Sequence, residues 1–161
     1  MTIKPNDFDI SNLDSEMAAD RHCSNLLKQF HQQLLKEEID TLEAGQLAHG
    51  ADYFLRDFII ADRRQNIFKI DPVHIKQFAG HWYIIKNLEP NIKELATILQ
   101  GVAVFYSYLL QLNCIEQTRH DQIISATAEL NFYQQRIDQF WDICDDGYHA
   151  WRGACPLPSI D

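Results

Sequence analysis

Residues 95–115 read LATILQGVAVFYSYLLQLNCI, the longest stretch of the chain without Asp, Glu, Lys or Arg. A membrane span needs about 20 predominantly apolar residues, so a run of this length is either a span or a helix packed inside a helical protein. Its polar members decide between the two. Thr97, Gln100, Ser107 and Gln111 recur at helical spacing and leave one narrow wettable stripe. Leu95, Leu99, Val102, Phe105, Tyr106, Leu109 and Leu112 cover a wide apolar arc. Two glutamines and Asn113 are costly in lipid. The stretch therefore predicts a central, mostly buried helix over 91–113 of a soluble bundle, with no membrane association.

Outward from this helix, the apolar spacing predicts four more. The first begins near Asp14 or Ser15 and runs to Leu42, carrying Met17, Leu26, Leu27, Phe30, Leu34 and Leu35. Gly45 and Gly50 place a break between residues 40 and 50, and a second helix covers 45–64 with Tyr53, Phe54, Phe58 and Ile59 on one face. Asp71-Pro72 is a helix-start signal, because Asp caps and Pro at the first position loses no hydrogen bond. The third helix then spans 72–87, with Ile75, Phe78, Trp82 and Ile85 in register. The fifth is a single helix over 116–145, stopped at Asp146-Gly147, and an extended tail with Pro156 and Pro158 follows. Residues 1–13 read as a flexible arm, and 14–161 as one bundle domain. The fold class is all-α, a single-domain bundle of about five helices.

The chain has 161 residues and a formal charge of −9, which opposes general nucleic-acid affinity. The charge is uneven: residues 1–55 carry four basic and ten acidic side chains, and residues 95–161 three and eight. Residues 56–94 carry seven basic against five acidic ones, so phosphate contacts, if any, fall there. The four cysteines, Cys23, Cys114, Cys144 and Cys155, are scattered without a C-x-x-C pair, a pattern of reduced thiols in a cytosolic protein. The N-terminus MTIKPNDFDI lacks the basic-then-apolar signature of a signal peptide, and the expected location is cytoplasmic.

No pattern of catalytic chemistry stands out. There is no G-x-S-x-G elbow and no glycine-rich phosphate loop, and the adjacent pair His22-Cys23 points two ways on a helix. His74 and His81 share a helix face, but neither Glu-x-x-His nor any other metal spacing accompanies them. Cys144, His149 and Cys155 are too loosely spaced for zinc. No metal or cofactor is expected. The one candidate pocket is aromatic: His74, His81, Trp82, Phe105 and Tyr106, where core packing is the competing role.

In the pattern of its apolar spacings, the segment from Tyr53 to Ile115 resembles the SAM-like helical N-terminal (core-binding) domain of tyrosine recombinases and phage integrases. The segments that carry the resemblance are YFLRDFIIADRR, NIFKI, DPVHIKQFAGHWYI and the hydrophobic helix with Phe105, Tyr106, Tyr108 and Leu109. It implies shared helix packing and a DNA-binding accessory domain, with Arg56, Arg63, Arg64, Lys69, Lys76 and Lys86 on phosphate. The recombinase catalytic domain is absent. The leading expectation is a non-enzymatic interaction or regulatory module with a protein partner or self-association. The alternatives are the recombinase-like DNA-binding domain and a small-ligand- or metal-binding helical enzyme.

Overall fold

The computed structural model describes residues 3–143 and 147–153, and all statements of structure concern these. The central helix, Ile92–Gln111, here α4, buries Leu95, Leu99, Val102, Phe105, Tyr106 and Leu109. Asn91 caps it by accepting from Glu94 N at 2.8 Å, and Asn113, at φ 59°, takes the left-handed turn beyond its end. No described helix is long and apolar enough to cross a membrane.

The architecture is all-helical, without strands among the described residues, and has seven helices rather than five. α1 is Leu13–Lys36, opened by Asn12, which accepts from Ser15 N at 2.8 Å while Ser15 Oγ accepts from Asn12 N at 2.9 Å. It stops six residues before Leu42, because Glu38 turns left-handed at φ 62° and Asp40 caps the next helix by accepting from Leu42 N and Glu43 N. α2 therefore starts at Thr41, as Thr41–Asp52, and runs on without a break as a π-helical segment, Tyr53–Asp62. The two glycines expected to break this region lie inside the helix. α3 begins at Pro72 as expected: Pro72–Gln77, a π-helical Phe78–Trp82, then Tyr83–Lys86.

The expected helix over 116–145 is two helices, α5 (Gln117–Thr127) and α6 (Leu130–Trp141). Glu129, at ψ 49°, breaks the path, and Tyr133 Oη holds the corner by donating to Ala126 O at 2.6 Å. No Gly or Pro marks this corner. The expected extended tail starts as a short helix, α7 (Gly147–Gly153); residues 154–161, with Pro156 and Pro158, lie outside the described residues, as do Cys144 and Cys155. The N-terminal segment is packed rather than loose. Pro5–Phe8 form a 3-10 turn, Phe8 is buried edge-on to Phe68 (4.9 Å), and Asn66 Nδ2 donates to Pro5 O and Asp9 Oδ1 at 2.8 Å each.

Two features set the packing. First, α2 and α4 touch backbone to backbone. A Cβ on Gly50 would lie 2.9 Å from Ile98 Cα, and one on Gly101 would collide with Leu47 O. Second, the two π-helical segments face each other through aromatic rings. Phe58 lies 5.4 Å from Phe78 and 5.3 Å from Trp82, and Phe54 lies 5.1 Å from Phe78. Within each segment the hydrogen bonds reach five residues back, Arg63 N to Phe58 O and Tyr83 N to Phe78 O. Such turns are rarely stable alone. Aromatic pairs add about 0.5–1.5 kcal/mol each beyond area burial, which offsets that cost here.

Candidate functional site

The residues singled out by the sequence do not assemble into one site. Phe105 and Tyr106 are fully buried: Phe105 packs edge-on to Phe30 (5.3 Å), and Tyr106 Oη donates to Ile67 O at 2.7 Å. Trp82 belongs to the other aromatic cluster, with Phe58 and Phe78. The expected aromatic pocket is thus filled core. His74 is a helix-start residue, its Nδ1 accepting from Asp71 N at 3.0 Å. Burial holds its pKa below the ordinary value, and the accepting Nδ1 fits a neutral ring. Arg119 binds the same corner, donating to Ile70 O and to Asp71 Oδ1.

His81 sits in a different setting. It stacks on Trp151 (5.0 Å, 17°), and its Nδ1 is 3.4 Å from Arg136 Nη2. Burial, then the neighbouring guanidinium, lowers its pKa. Arg136, 3 % exposed, donates from Nε to Gly80 O and from Nη1 to Trp151 O, at 2.8 and 2.9 Å. Trp151 Nε1 donates back to Arg136 O at 2.9 Å, and the guanidinium lies over the indole at 4.0 Å. This cluster ties α7 to α3 and α6.

The six basic residues named as phosphate contacts all have partners within the chain. Arg56 pairs with Asp20 (2.9 Å) and Asp52 (3.4 Å), Arg63 with Asp62 (3.3 Å), Arg64 with Glu16 (2.9 Å), Lys69 with Asp9 (2.9 Å) and Lys76 with Glu129 (3.5 Å). Lys86 lies over the Trp82 ring at 5.9 Å. They are spread over α2, the 63–71 connection and α3 rather than lined up on one face of a helix.

The structure instead brings together residues that no spacing flagged. From their contact at Gly50 and Ile98, α2 and α4 border a cleft of about 580 Å³ that reaches the start of α4. Gln46, His49, Gly50 and Tyr53 line it from α2; Asn91, Lys93, Glu94, Thr97 and Ile98 line it from α4 and its cap, and Asn87 from the connection after α3. That volume is in the range of small-ligand sites, about 300–1,000 Å³.

Two sets of hydrogen bonds, joined through Tyr83, fix one side of the cleft. Asn87 Nδ2 donates to Tyr53 Oη (3.1 Å) and Tyr83 O (2.8 Å). Tyr83 Oη donates to Glu94 Oε1 at 2.7 Å and accepts from Asn91 N at 3.2 Å. Since Tyr53 Oη accepts from Asn87, its own proton is what it can offer a ligand. Burial raises the pKa of Tyr53 and of Tyr83, so both phenols are neutral donors at neutral pH. The cleft thus has an apolar floor at Gly50 and Ile98, a phenol and amides on one side, and charges of both signs at Lys93 and Glu94.

Among the described residues, no three His, Cys, Asp or Glu side chains converge as metal ligands would. The cleft offers recognition groups and contains no Ser or Cys nucleophile. No protein-family model, curated protein or solved structure matches the chain.

Proposed function

We propose that this protein is a binding module whose cleft between α2 and α4 holds a small molecule with an apolar body and a polar end. One observation carries the reading: Tyr53, Asn87, Asn91 and Glu94, from three separate chain segments, line a 580 Å³ cleft and are held by hydrogen bonds around Tyr83, Asn87 on its carbonyl and Asn91 and Glu94 on its phenol. Pre-positioned donors and acceptors lower the ordering cost of binding, which favours recognition over a passive surface groove. The basic residues support a DNA-binding role less well, since five of the six lie in ion pairs with carboxylates of the same chain.

The test is a ligand-observed fluorine NMR screen of small part-polar fragments against the full chain, repeated on Thr97→Trp and Tyr53→Phe. Thr97 is exposed on the cleft wall, so an indole there fills the space without touching the core. Hits should vanish with Thr97→Trp and weaken with Tyr53→Phe. Hits that bind both variants as well as the parent would sink the reading.

A second reading, docking of a protein partner, is favoured by a separate observation. Leu88 is 97 % exposed and Trp141 55 %, and Trp141 Nε1 donates to Pro90 O at 3.2 Å, which places the indole beside the loop that carries Leu88. Sedimentation of Leu88→Ser against the parent tests self-association through this patch.

A further inference from the structure

Away from the cleft, at the other end of α4, three side chains form a connected line. Ser107, in the last helical turns of α4, has its Oγ 2.9 Å from His120 Nε2. His120 Nδ1 lies 3.0 Å from Asp121 Oδ1, at the start of α5. The turn 112–116, with Asn113 in the left-handed region, folds α5 back so that residues thirteen apart in sequence meet.

The protons in this line can be assigned. An ionised carboxylate only accepts, so the hydrogen bond to Asp121 requires the proton on His120 Nδ1. Nε2 of the neutral ring is then bare and can only accept, from the Ser107 hydroxyl. That hydroxyl has a second acceptor, Ala103 O, at 3.0 Å. When the ring is neutral the hydroxyl can turn to Nε2; when the ring is an imidazolium, Nε2–H donates to Oγ and the hydroxyl turns to Ala103 O. Asp121 is itself held by Gln117 Nε2, which donates to Oδ1 at 2.8 Å. The histidine contact, followed by Gln117, keeps the Asp121 carboxyl below its ordinary pKa, so it is ionised at neutral pH. His120 is only 14 % exposed at its side chain, which restricts its alternative positions.

Beside Ser107 lies a dimple of about 60 Å³ walled by Phe30, Leu34, Val104 and Tyr108, with the hydrogen-bonded pair Gln33 and Glu37 at its α1 rim and Gln111 one helical turn on from Ser107. It has room for a short acyl group, and the Gln111 amide is a donor on the same wall for a carbonyl oxygen.

We propose that Ser107 and His120 are catalytic residues of an acyl-transfer site, with Asp121 as the positioning residue, acting on esters of short apolar acids. Ser107 Oγ attacks the ester carbonyl carbon while its proton passes to His120 Nε2. The bond from carbon to the alcohol oxygen breaks, and that oxygen leaves with the proton from Nε2, giving acyl-Ser107 and free alcohol. Water then attacks the acyl carbon, gives a proton to Nε2, and Oγ leaves and recovers it. The outcome is one carboxylic acid and one alcohol per ester and water consumed, with no other reactant. Asp121 fixes the Nδ1–H tautomer and the imidazolium that forms at each transfer. The proposal stands independently of the cleft.

The experiment uses the full chain with a fluorophosphonate probe and with 4-nitrophenyl acetate, mapping the adduct by peptide mass spectrometry. Ser107 is expected to carry both the phosphonyl and the acetyl group. His120→Gln should slow labelling by about 100-fold, within the usual contribution of a general base. Asp121→Asn, at an exposed position that leaves the fold intact, should slow it too, and Asp121→Glu should restore part of the rate, which a packing role would not do. Adducts elsewhere than Ser107, or a Ser107 rate unchanged by His120→Gln and Asp121→Asn, would overturn the proposal. Should Ser107→Ala fail to fold, the mapped adduct on the parent chain still decides.

Discussion

Gly101 of α4 lies against the backbone carbonyl of Leu47 in α2, with no room for even a methyl group between them. Gly50 makes the reciprocal approach to Ile98. The pair sets the distance between the two helices and thereby the shape of the cleft bordering that contact. Gly101→Ala must push the helices apart, and overpacking of this kind costs about 1–3 kcal/mol. Gly45, in the same helix as Gly50, has open space around it, and Gly45→Ala should gain about 0.5–1 kcal/mol from helix propensity. Urea unfolding of the two variants checks both signs, and a neutral Gly101→Ala would contradict the close contact.

Trp151 anchors α7 through Arg136 and His81. Trp151→Phe removes the Nε1–H donated to Arg136 O and part of the ring area against His81 and Arg136, and should cost about 1–3 kcal/mol. Trp151→Ala also removes the ring over the guanidinium and should cost about 3 kcal/mol or more. Hydrogen exchange over 147–153 should rise sharply in the alanine variant, ahead of the rest of the chain.

Acid should destabilise the fold earlier than carboxylate titration would. His74 and His81 both have folded-state pKa values below the ordinary 6.5, so the unfolded chain takes up protons first. Stability is then complete above the unfolded value and declines as the pH falls below 6.5. The raised Asp57 acts in the opposite direction, from near the carboxylate range, and Asp9 and Asp121, both lowered, act at lower pH still. Melting temperatures should fall as pH drops below 6.5, and His81→Gln should reduce that slope. A flat profile would show that neither histidine is held neutral by the fold.

Duplex DNA supplies a direct check on the basic segment. With Arg56, Arg63, Arg64, Lys69 and Lys76 in internal ion pairs, fluorescence anisotropy at low salt should show no steep salt-dependent binding. Binding that falls steeply with salt and is lost on Arg56→Ala and Lys69→Ala would restore the DNA-binding role. Arg56→Ala alone should cost at most about 1 kcal/mol of stability, because the pair with Asp20 is about one-third exposed.

The helical class, the central helix and the Asp71-Pro72 start were legible because each has a local physical signature: an uncharged apolar run, a cap, a proline. The helix count was not. Gly45 and Gly50 look like breakers in sequence, yet both lie inside the helix, and Gly50 serves to let α4 approach, which only the tertiary fold reveals. The break falls instead at Glu38 and Asp40, and the corner at Glu129 has no breaker residue at all. The cleft was invisible for a related reason. Gln46, His49, Glu94 and Thr97 read as ordinary solvated helix positions, and their shared site arises only when three segments come together. Ser107, in the polar stripe of α4, and His120, at a hydrophilic helix start, likewise meet only through the turn at Asn113.

The claim that the α2–α4 cleft recognises small molecules is tested most directly by crystallographic fragment soaking of the full chain. Bound fragments should gather between Tyr53 and Thr97, with a polar atom within hydrogen-bond distance of Tyr53 Oη or Glu94. Fragments scattered over the surface, with the cleft holding only water across the whole set, would contradict it.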